Sequence, residues 1–335
     1  MNTNNLIKYL EYYLNDNNIY FDDIKENAKR GQSFTFTIYN SGKPYLIAKF
    51  FNFLDIIYDS NSLVSEKISE CDTLDEFIMI LPDIEILEYD IENILEGIYV
   101  QTKCYKRYVN VGKNSNIKLI PKVLYSVDEL KINNSFFGLI IEDYINGIIL
   151  EQVDFSKYTV DDIIEFLSQM GAIIKELSDN KIVHRDISPD NIILKDGKYV
   201  LLDPGFVKAI DNYYTKSNNY MFGKIYYASP EQELGRAKTC DFTSDLYSVG
   251  IIALEMGLRY NPLKKLYEME NSQGRPREIL YKKFNRYIED ELINNLGENN
   301  KTYQLIDIIK RLIEVNRNQR LNSPDIFINY LNTIC

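Results

Sequence analysis

Eight consecutive residues, His184-Arg185-Asp186-Ile187-Ser188-Pro189-Asp190-Asn191, stand between a helical pattern and the apolar run Ile192-Ile193-Leu194. They set a carboxylate and an amide oxygen five positions apart. On a tight loop, Asp186 and Asn191 can serve one phosphoryl-transfer site from two sides. Lys49 lies inside the apolar run Tyr45-Leu46-Ile47-Ala48-Lys49-Phe50-Phe51. An ammonium there costs a great deal unless its charge is used or its head reaches outward. Asp203 follows a third apolar run, Tyr199-Val200-Leu201-Leu202, and opens the turn Asp203-Pro204-Gly205. By itself an Asp-Pro-Gly is usually just a turn.

The pattern H-R-D-x-x-x-x-N resembles the catalytic loop of the eukaryotic-type (Hanks-type) protein kinases. The resemblance implies that Asp186 orients a substrate hydroxyl and accepts its proton, and that Asn191 binds Mg²⁺. Asp203 then occupies the family's D-F-G position and binds the Mg²⁺ that bridges the ATP phosphates. Ile47-Ala48-Lys49 resembles the V-A-I-K strand, which assigns Lys49 to the α- and β-phosphates. Of the family's G-x-G-x-x-G phosphate loop only Gly31 stands, in Arg30-Gly31-Gln32. Glu142-Asp143-Tyr144-Ile145-Asn146-Gly147 resembles the hinge, with the Asp143 carbonyl and the Ile145 N–H on the adenine. The family also pairs the strand lysine with a helix glutamate. Glu85, Glu88, Glu92 and Glu96 are candidates; Glu96 is preferred because it leaves the shortest path to the next strand, with Glu92 second.

Gly223-Lys224-Ile225-Tyr226-Tyr227-Ala228-Ser229-Pro230-Glu231 resembles G-T-x-x-Y-x-A-P-E. Asp245-Leu246-Tyr247-Ser248-Val249-Gly250 resembles D-x-W-S-x-G, whose aspartate holds the catalytic-loop N–H groups. Arg320 resembles the arginine that pairs with the A-P-E glutamate, here Glu231. Two departures fall together: Ser188 stands where the family has lysine, and Lys224 where it has threonine. These positions meet beside the catalytic carboxylate in the family, so Lys224 is expected to supply the γ-phosphate charge that Ser188 lacks. Pro204 replaces the phenylalanine of D-F-G, which fixes φ and removes an aromatic contact. Tyr213, Tyr214, Thr215, Ser217 and Tyr220 are autophosphorylation candidates, with Arg185 placed to pair with a phosphate there.

The periodicities supply the elements that carry these residues. Residues 5–14 read as an amphipathic helix and 33–39 as a strand alternating Phe34, Phe36 and Ile38. The segment from Asp22 to Lys29 is not strand-like. Residues from Asp83 to Tyr108, with Ile84, Leu87, Ile91, Leu95 and Ile98, read as one long helix. Strands are expected at 120–124 and 137–141, a core helix from Asp161, and a hairpin turn at Asp196-Gly197. The expected fold is α+β and bilobal, a small β-sheet lobe with one long helix and a larger, mainly helical lobe. The expected division is 1–28 for an N-terminal helical extension, 29–145 for the small lobe with an insertion at about 52–82, and 146–335 for the large lobe.

Composition narrows the remaining classes. The 335 residues are 45% hydrophobic, which excludes disorder as a description of the whole. A net charge of −11 argues against a nucleic-acid groove or an anionic membrane surface. No apolar run approaches a membrane span, and Met1-Asn2-Thr3-Asn4-Asn5 carries no secretory pattern. Cys71, Cys104, Cys240 and Cys335 are scattered, as expected for reduced thiols in a cytoplasmic protein. A single histidine, His184, rules out a His-based metal cluster. The expected activity is ATP- and Mg²⁺-dependent transfer to Ser/Thr hydroxyls of a protein substrate, with autophosphorylation. The alternative is a pseudokinase scaffold that binds nucleotide. A small-molecule kinase is disfavoured by Ser229-Pro230-Glu231. The sequence sets no oligomeric state.

Overall fold

The computed structural model describes residues 3–27, 33–54, 62–114, 119–202, 208–209, 224–234, 239–269 and 276–334. The chain divides into two compact units, residues 1–115 with 121–145, and residues 116–120 with 146–335.

The first unit is built on an antiparallel sheet of order β1-β2-β3-β5-β4. Ahead of it comes α1 (Asn4–Asp16), followed by β1 (Asp23–Glu26), β2 (Ser33–Asn40) and β3 (Lys43–Asn52). In α1, Leu6, Leu10 and Leu14 recur every four residues and are fully buried. They pack with Phe36, Ile38, Ala48, Phe50, Leu139 and Ile141 into one core. The helix is therefore the second layer of this unit rather than an appendage to it. A strand at Asp23–Glu26 was not expected from the sequence. It pairs with β2 through the backbone, Asp23 opposite Tyr39 and Glu26 opposite Phe36, while its side chains stay largely exposed. An edge strand of that kind leaves no apolar alternation to read.

The segment after β3 carries α2 (Ser62–Glu70) and α3 (Leu74–Ile80). Thr73 and Glu76 close α3 with reciprocal side-chain bonds to the backbone. The long helix α4 spans Glu88–Asn114, starting later and ending later than the sequence pattern suggests. Pro82 sits in a short 3₁₀ turn, Leu81–Asp83, and the helix starts afresh with Glu88 and Asp90 in its first turn. Then come β4 (Val123–Lys131) and β5 (Phe136–Asp143). The former begins after Pro121, which has no N–H for a ladder, so Ile120 and Lys122 fall outside it. Two β4 side chains secure the inserted helices. Lys131 donates to the Ser69 and Cys71 carbonyls at the end of α2, and Glu129 accepts from the Leu74 N–H at the start of α3. Each charge matches the helix end it meets.

The second unit is mostly helical. A three-stranded sheet of order β6-β8-β9 uses β6 (Ile148–Ile149), β8 (Ile192–Lys195) and β9 (Lys198–Leu201). Before β8 lie α5 (Val160–Asp179) and β7 (Ile182–Val183), and after β9 comes β10 (Lys208–Ala209), paired with β7. The β8–β9 turn is Asp196-Gly197 with φ of 50° and 74°, the left-handed pair that a two-residue hairpin requires. Gly147 approaches β8 so closely that a Cβ would stand 2.5 Å from Ile193 Cγ2 and 2.6 Å from the Leu194 carbonyl oxygen. The remaining helices are α6 (Pro230–Glu233), α7 (Phe242–Leu258), α8 (Pro262–Met269), α9 (Pro276–Lys283), α10 (Glu289–Leu296), α11 (Asn300–Leu312) and α12 (Pro324–Leu331). Nearly every residue of α7 is buried, which marks it as the central helix, wrapped by others. The α+β fold with a sheet-based and a helical part is the one expected from the sequence.

Candidate active site

The loop between β7 and β8 is held by a buried carboxylate from α7. Asp245 Oδ2 accepts the His184 N–H and Oδ1 accepts the Arg185 N–H, both at 2.8 Å. Burial pushes this carboxyl up to about 7, while the two N–H donors act to lower it. Arg185 has φ of 66°, an unusual value for a residue with a side chain. The two bonds to Asp245 flank this strained turn and hold it. From α6, the buried Gln232 donates through Nε2 to the Arg185 carbonyl at 2.7 Å. Gln232 also closes a capping box with Ser229. The Ser229-Pro230-Glu231 segment is thus tied to the loop through the residue that follows it.

Within the loop, Asn191 Nδ2 donates to Asp186 twice, to its carbonyl at 2.9 Å and to its carboxylate Oδ2 at 3.0 Å. The two residues singled out by spacing are therefore in direct contact. The His184 ring spans onward: Nε2 lies 3.0 Å from the Leu202 carbonyl, and Nδ1 takes the Asp186 N–H at 3.3 Å. A carbonyl can only accept, so these contacts select the neutral imidazole with its proton on Nε2. Leu202 N–H also donates to the Asn191 carbonyl at 2.8 Å. The residue before Asp203 is thereby fastened to the loop at two points.

Ser188 and Lys224 meet through a third residue. Ser188 Oγ donates to Asp190 Oδ1 at 2.8 Å, and Lys224 forms an ion pair with Asp190 Oδ2. Asp190 had no expected role. A cavity of about 850 Å³ opens beside this network, lined among others by Glu151, Tyr226, Tyr227 and Glu255. Its walls carry both signs of charge and aromatic rings, a lining suited to an extended polar chain. Arg277, fully buried on α9, donates to the Ile225 and Ala228 carbonyls and pairs with Glu233. It fixes the backbone on which Tyr226 and Tyr227 sit. Below, Arg320 binds Glu231 through both guanidinium ends at 2.8 and 3.1 Å, and Ser244 adds a hydroxyl at 2.7 Å. Burial works to raise the Glu231 carboxyl, yet the Arg320 bonds and charge outweigh it and hold it below its ordinary value.

In the first unit, β3 and β5 place Lys49 opposite Ile140 and Ile47 opposite Glu142. Lys49 and Glu142 therefore share a sheet face, the one opposite α1. Lys49 Nζ lies 2.8 Å from Glu142 Oε1, with both side chains almost wholly buried. Tyr108 of α4 donates its hydroxyl to Glu142 Oε2 at 3.1 Å. Among the helix glutamates, Glu85 lies before α4, Glu88 and Glu92 are exposed, and Glu96 is half-buried with Oε1 shielded from solvent. Asp143 ends β5, its N–H bonded to the Lys122 carbonyl, and Ile145 follows two residues on. Gly31, Asp203, Pro204 and the hydroxyls from Tyr213 to Tyr220 lie outside the described residues.

The donor chemistry suits a hard cation. Asn191 carries an amide oxygen, a ligand type that Mg²⁺ takes together with phosphate and water, while the expected second ligand, Asp203, lies outside the described residues. Among the described residues no group of three or more His, Cys, Asp or Glu could hold a metal.

Residues 102–330, more than half of the chain, match the family model of the protein kinase domain, and the chain belongs to that family. It is 41% identical over 113 residues to the serine/threonine-protein kinase shk1/pak1 of Schizosaccharomyces pombe, 30% of this chain and 17% of that protein. It is 26% identical over 176 residues to the serine/threonine-protein kinase PrkC of Bacillus subtilis, 52% of this chain and 26% of that protein. With the serine/threonine-protein kinase D of Synechocystis it shares 27% over 201 residues, 56% of this chain and 38% of that protein. In each case the match spans well under half of the relative's length. The family match begins inside α4, after β1 to β3. No helix among the described residues is long and apolar enough to cross a membrane.

Proposed function

We propose that this chain is an ATP- and Mg²⁺-dependent protein kinase that transfers the γ-phosphoryl group to Ser or Thr hydroxyls, its own loop hydroxyls included. The observation that carries it is the Asp186–Asn191 contact on a loop whose backbone is fixed by the buried Asp245. In this reading Asp186 aligns the acceptor hydroxyl and takes its proton. Asn191 orients the Asp186 carboxylate through Nδ2 and offers Oδ1 to Mg²⁺, with Asp203 as the second protein ligand. When bound, Mg²⁺ neutralises charge on the transferring phosphates. Lys49 supplies a cation for the α- and β-phosphates, and the backbone at Asp143 and Ile145 holds the adenine. Lys224, held by Asp190 beside Ser188, supplies the cation that Ser188 cannot. Catalysis is then positioning and electrostatics, with little covalent chemistry for the protein to do.

The mixed-charge cavity next to Asp190 and Lys224 supports a polypeptide acceptor over a metabolite. A second reading, a nucleotide-binding scaffold without turnover, is favoured by Ser188 and by a family match that begins only at residue 102. Incubation with Mg²⁺, γ-labelled ATP and a generic protein acceptor separates them. Label on protein with wild type, and none with Asp186→Asn, is the expected result. ATP-dependent thermal stabilisation without label supports the scaffold, and label only on added metabolites overturns the protein acceptor.

A further inference from the structure

The pair formed by Lys49 and Glu142 is brought together by the register of two strands. In an antiparallel ladder the residues directly opposite share a face, and diagonal neighbours are within reach of long side chains. With Ile47 opposite Glu142 and Lys49 opposite Ile140, the lysine and the glutamate are such diagonal neighbours. The two strands are joined along seven consecutive register pairs, from Leu46 with Asp143 to Asn52 with Phe137. The distance between Lys49 Nζ and Glu142 Oε1 is therefore set by the sheet itself. Tyr108 is the contribution of α4: its hydroxyl on Oε2 orients the carboxylate so that Oε1 faces the ammonium.

We propose that Glu142 is a positioning residue for nucleotide phosphates, holding the Lys49 ammonium at a fixed place through the β3–β5 ladder, with Tyr108 steering its carboxylate. The proposal rests on the reading of Lys49 as the phosphate-binding cation. An ammonium has three donors. One directed at Oε1 does not by itself use all three, and a buried ammonium is costly unless a carboxylate accompanies it. Because lysine and glutamate belong to the same rigid element, the cation is preset before nucleotide arrives, whether or not a helix glutamate also reaches it. Preset donors on strands bind more accurately than donors on loops. A competing role for the same carboxylate is sequestration: Glu142 would then hold Lys49 away from phosphates and weaken nucleotide binding. The two roles differ in sign, so a single substitution separates them.

The test is calorimetric titration of the full chain with Mg·ADP and with adenosine, for wild type, Glu142→Gln, Glu142→Asp, Tyr108→Phe and Lys49→Met. Each variant is first checked by thermal melting. Glu142→Gln should weaken ADP binding about tenfold, the worth of one charge-assisted hydrogen bond, and leave adenosine unchanged. Glu142→Asp should recover part of the loss, and Tyr108→Phe should show a smaller loss, again for ADP only. Tighter ADP binding by folded Glu142→Gln overturns the proposal in favour of sequestration, and unchanged ADP binding overturns it outright. An equal loss for ADP and adenosine overturns it in favour of a purely structural role. If Glu142→Gln does not fold, Tyr108→Phe decides, and unchanged ADP affinity there overturns the proposal. Lys49→Met distinguishes failure of the underlying reading: unchanged ADP affinity in that variant removes Lys49 from the phosphates, and Glu142 with it.

Discussion

At the scale of single residues, three of the buried or half-buried charge sets among the described residues have different tasks. Asp245 spends both carboxylate oxygens on the backbone of the loop that carries Asp186, so it shapes rather than reacts. Asp190 joins Ser188 to Lys224, and this is where the departures from the family meet. If Lys224 stands in for the missing lysine, Lys224→Met should lower kcat about tenfold or more with little change in KM for ATP, measured by steady-state phosphotransfer. An unchanged kcat would return Lys224 to the surface. The third set, Lys49 with Glu142 and Tyr108, was not legible in the sequence. In the sequence Glu142 reads only as the first residue of the hinge-like stretch, with no role for its side chain. Only the strand register, which joins segments far apart in the chain, turns Glu142 toward the lysine. Its one local signal is parity, since Glu142 shares its face with Ile140 two residues earlier.

Among the elements, α1 carries more of the fold than its position at the chain's start suggests. Its three leucines are wholly buried against the sheet, whereas Tyr12 on the far side is exposed. Leu10→Ala should therefore cost about 2–5 kcal/mol and Tyr12→Ala less than about 0.5 kcal/mol in urea unfolding. Near-equal effects would contradict the layer assignment. The α1 and α5 helices were legible from their apolar periods, and α5 also has a clear start in Thr159 with Asp162. The β8–β9 hairpin was legible from Asp196-Gly197 alone. What escaped was structure made by the backbone: β1, with hardly any buried side chain, and the exact start of α4, set by Pro82 and the first-turn acids rather than by the apolar period. Gly250 shows the limit from the other side. Its lack of a Cβ lets α7 approach α11, where a Cβ would stand 2.6 Å from Leu312 Cβ, and no local pattern announces that.

At the scale of the whole molecule, the legible part of the site was the part that depends on residue type at fixed spacing. Asp186, Asn191, Glu231, Asp245 and Arg320 all fall in the helical unit and inside the family match, and they are linked there by hydrogen bonds. The sheet-based unit has only short, apolar signatures, which many sequences can satisfy. The Glu231–Arg320 pair also sets how the molecule meets acid. The Glu231 carboxyl lies below its ordinary value of 4.5 in the fold, so its stabilisation is fully present above that value and is lost as pH falls through the depressed one. Arg320→Met should cost about 3–5 kcal/mol near neutral pH, because it leaves a buried carboxylate without its partner. The variant should also lose this component of the acid transition, as read from melting temperature between about pH 3 and pH 7. An acid profile unchanged by the substitution would contradict that assignment. The central claim is phosphoryl transfer through Asp186. Its most direct measurement is the single-turnover rate of label transfer from Mg·ATP to protein in wild type and Asp186→Asn, with ADP affinity measured alongside. A rate lower by about 10²- to 10⁴-fold at unchanged ADP affinity is the predicted result. Equal rates, or no transfer by either protein, would contradict it.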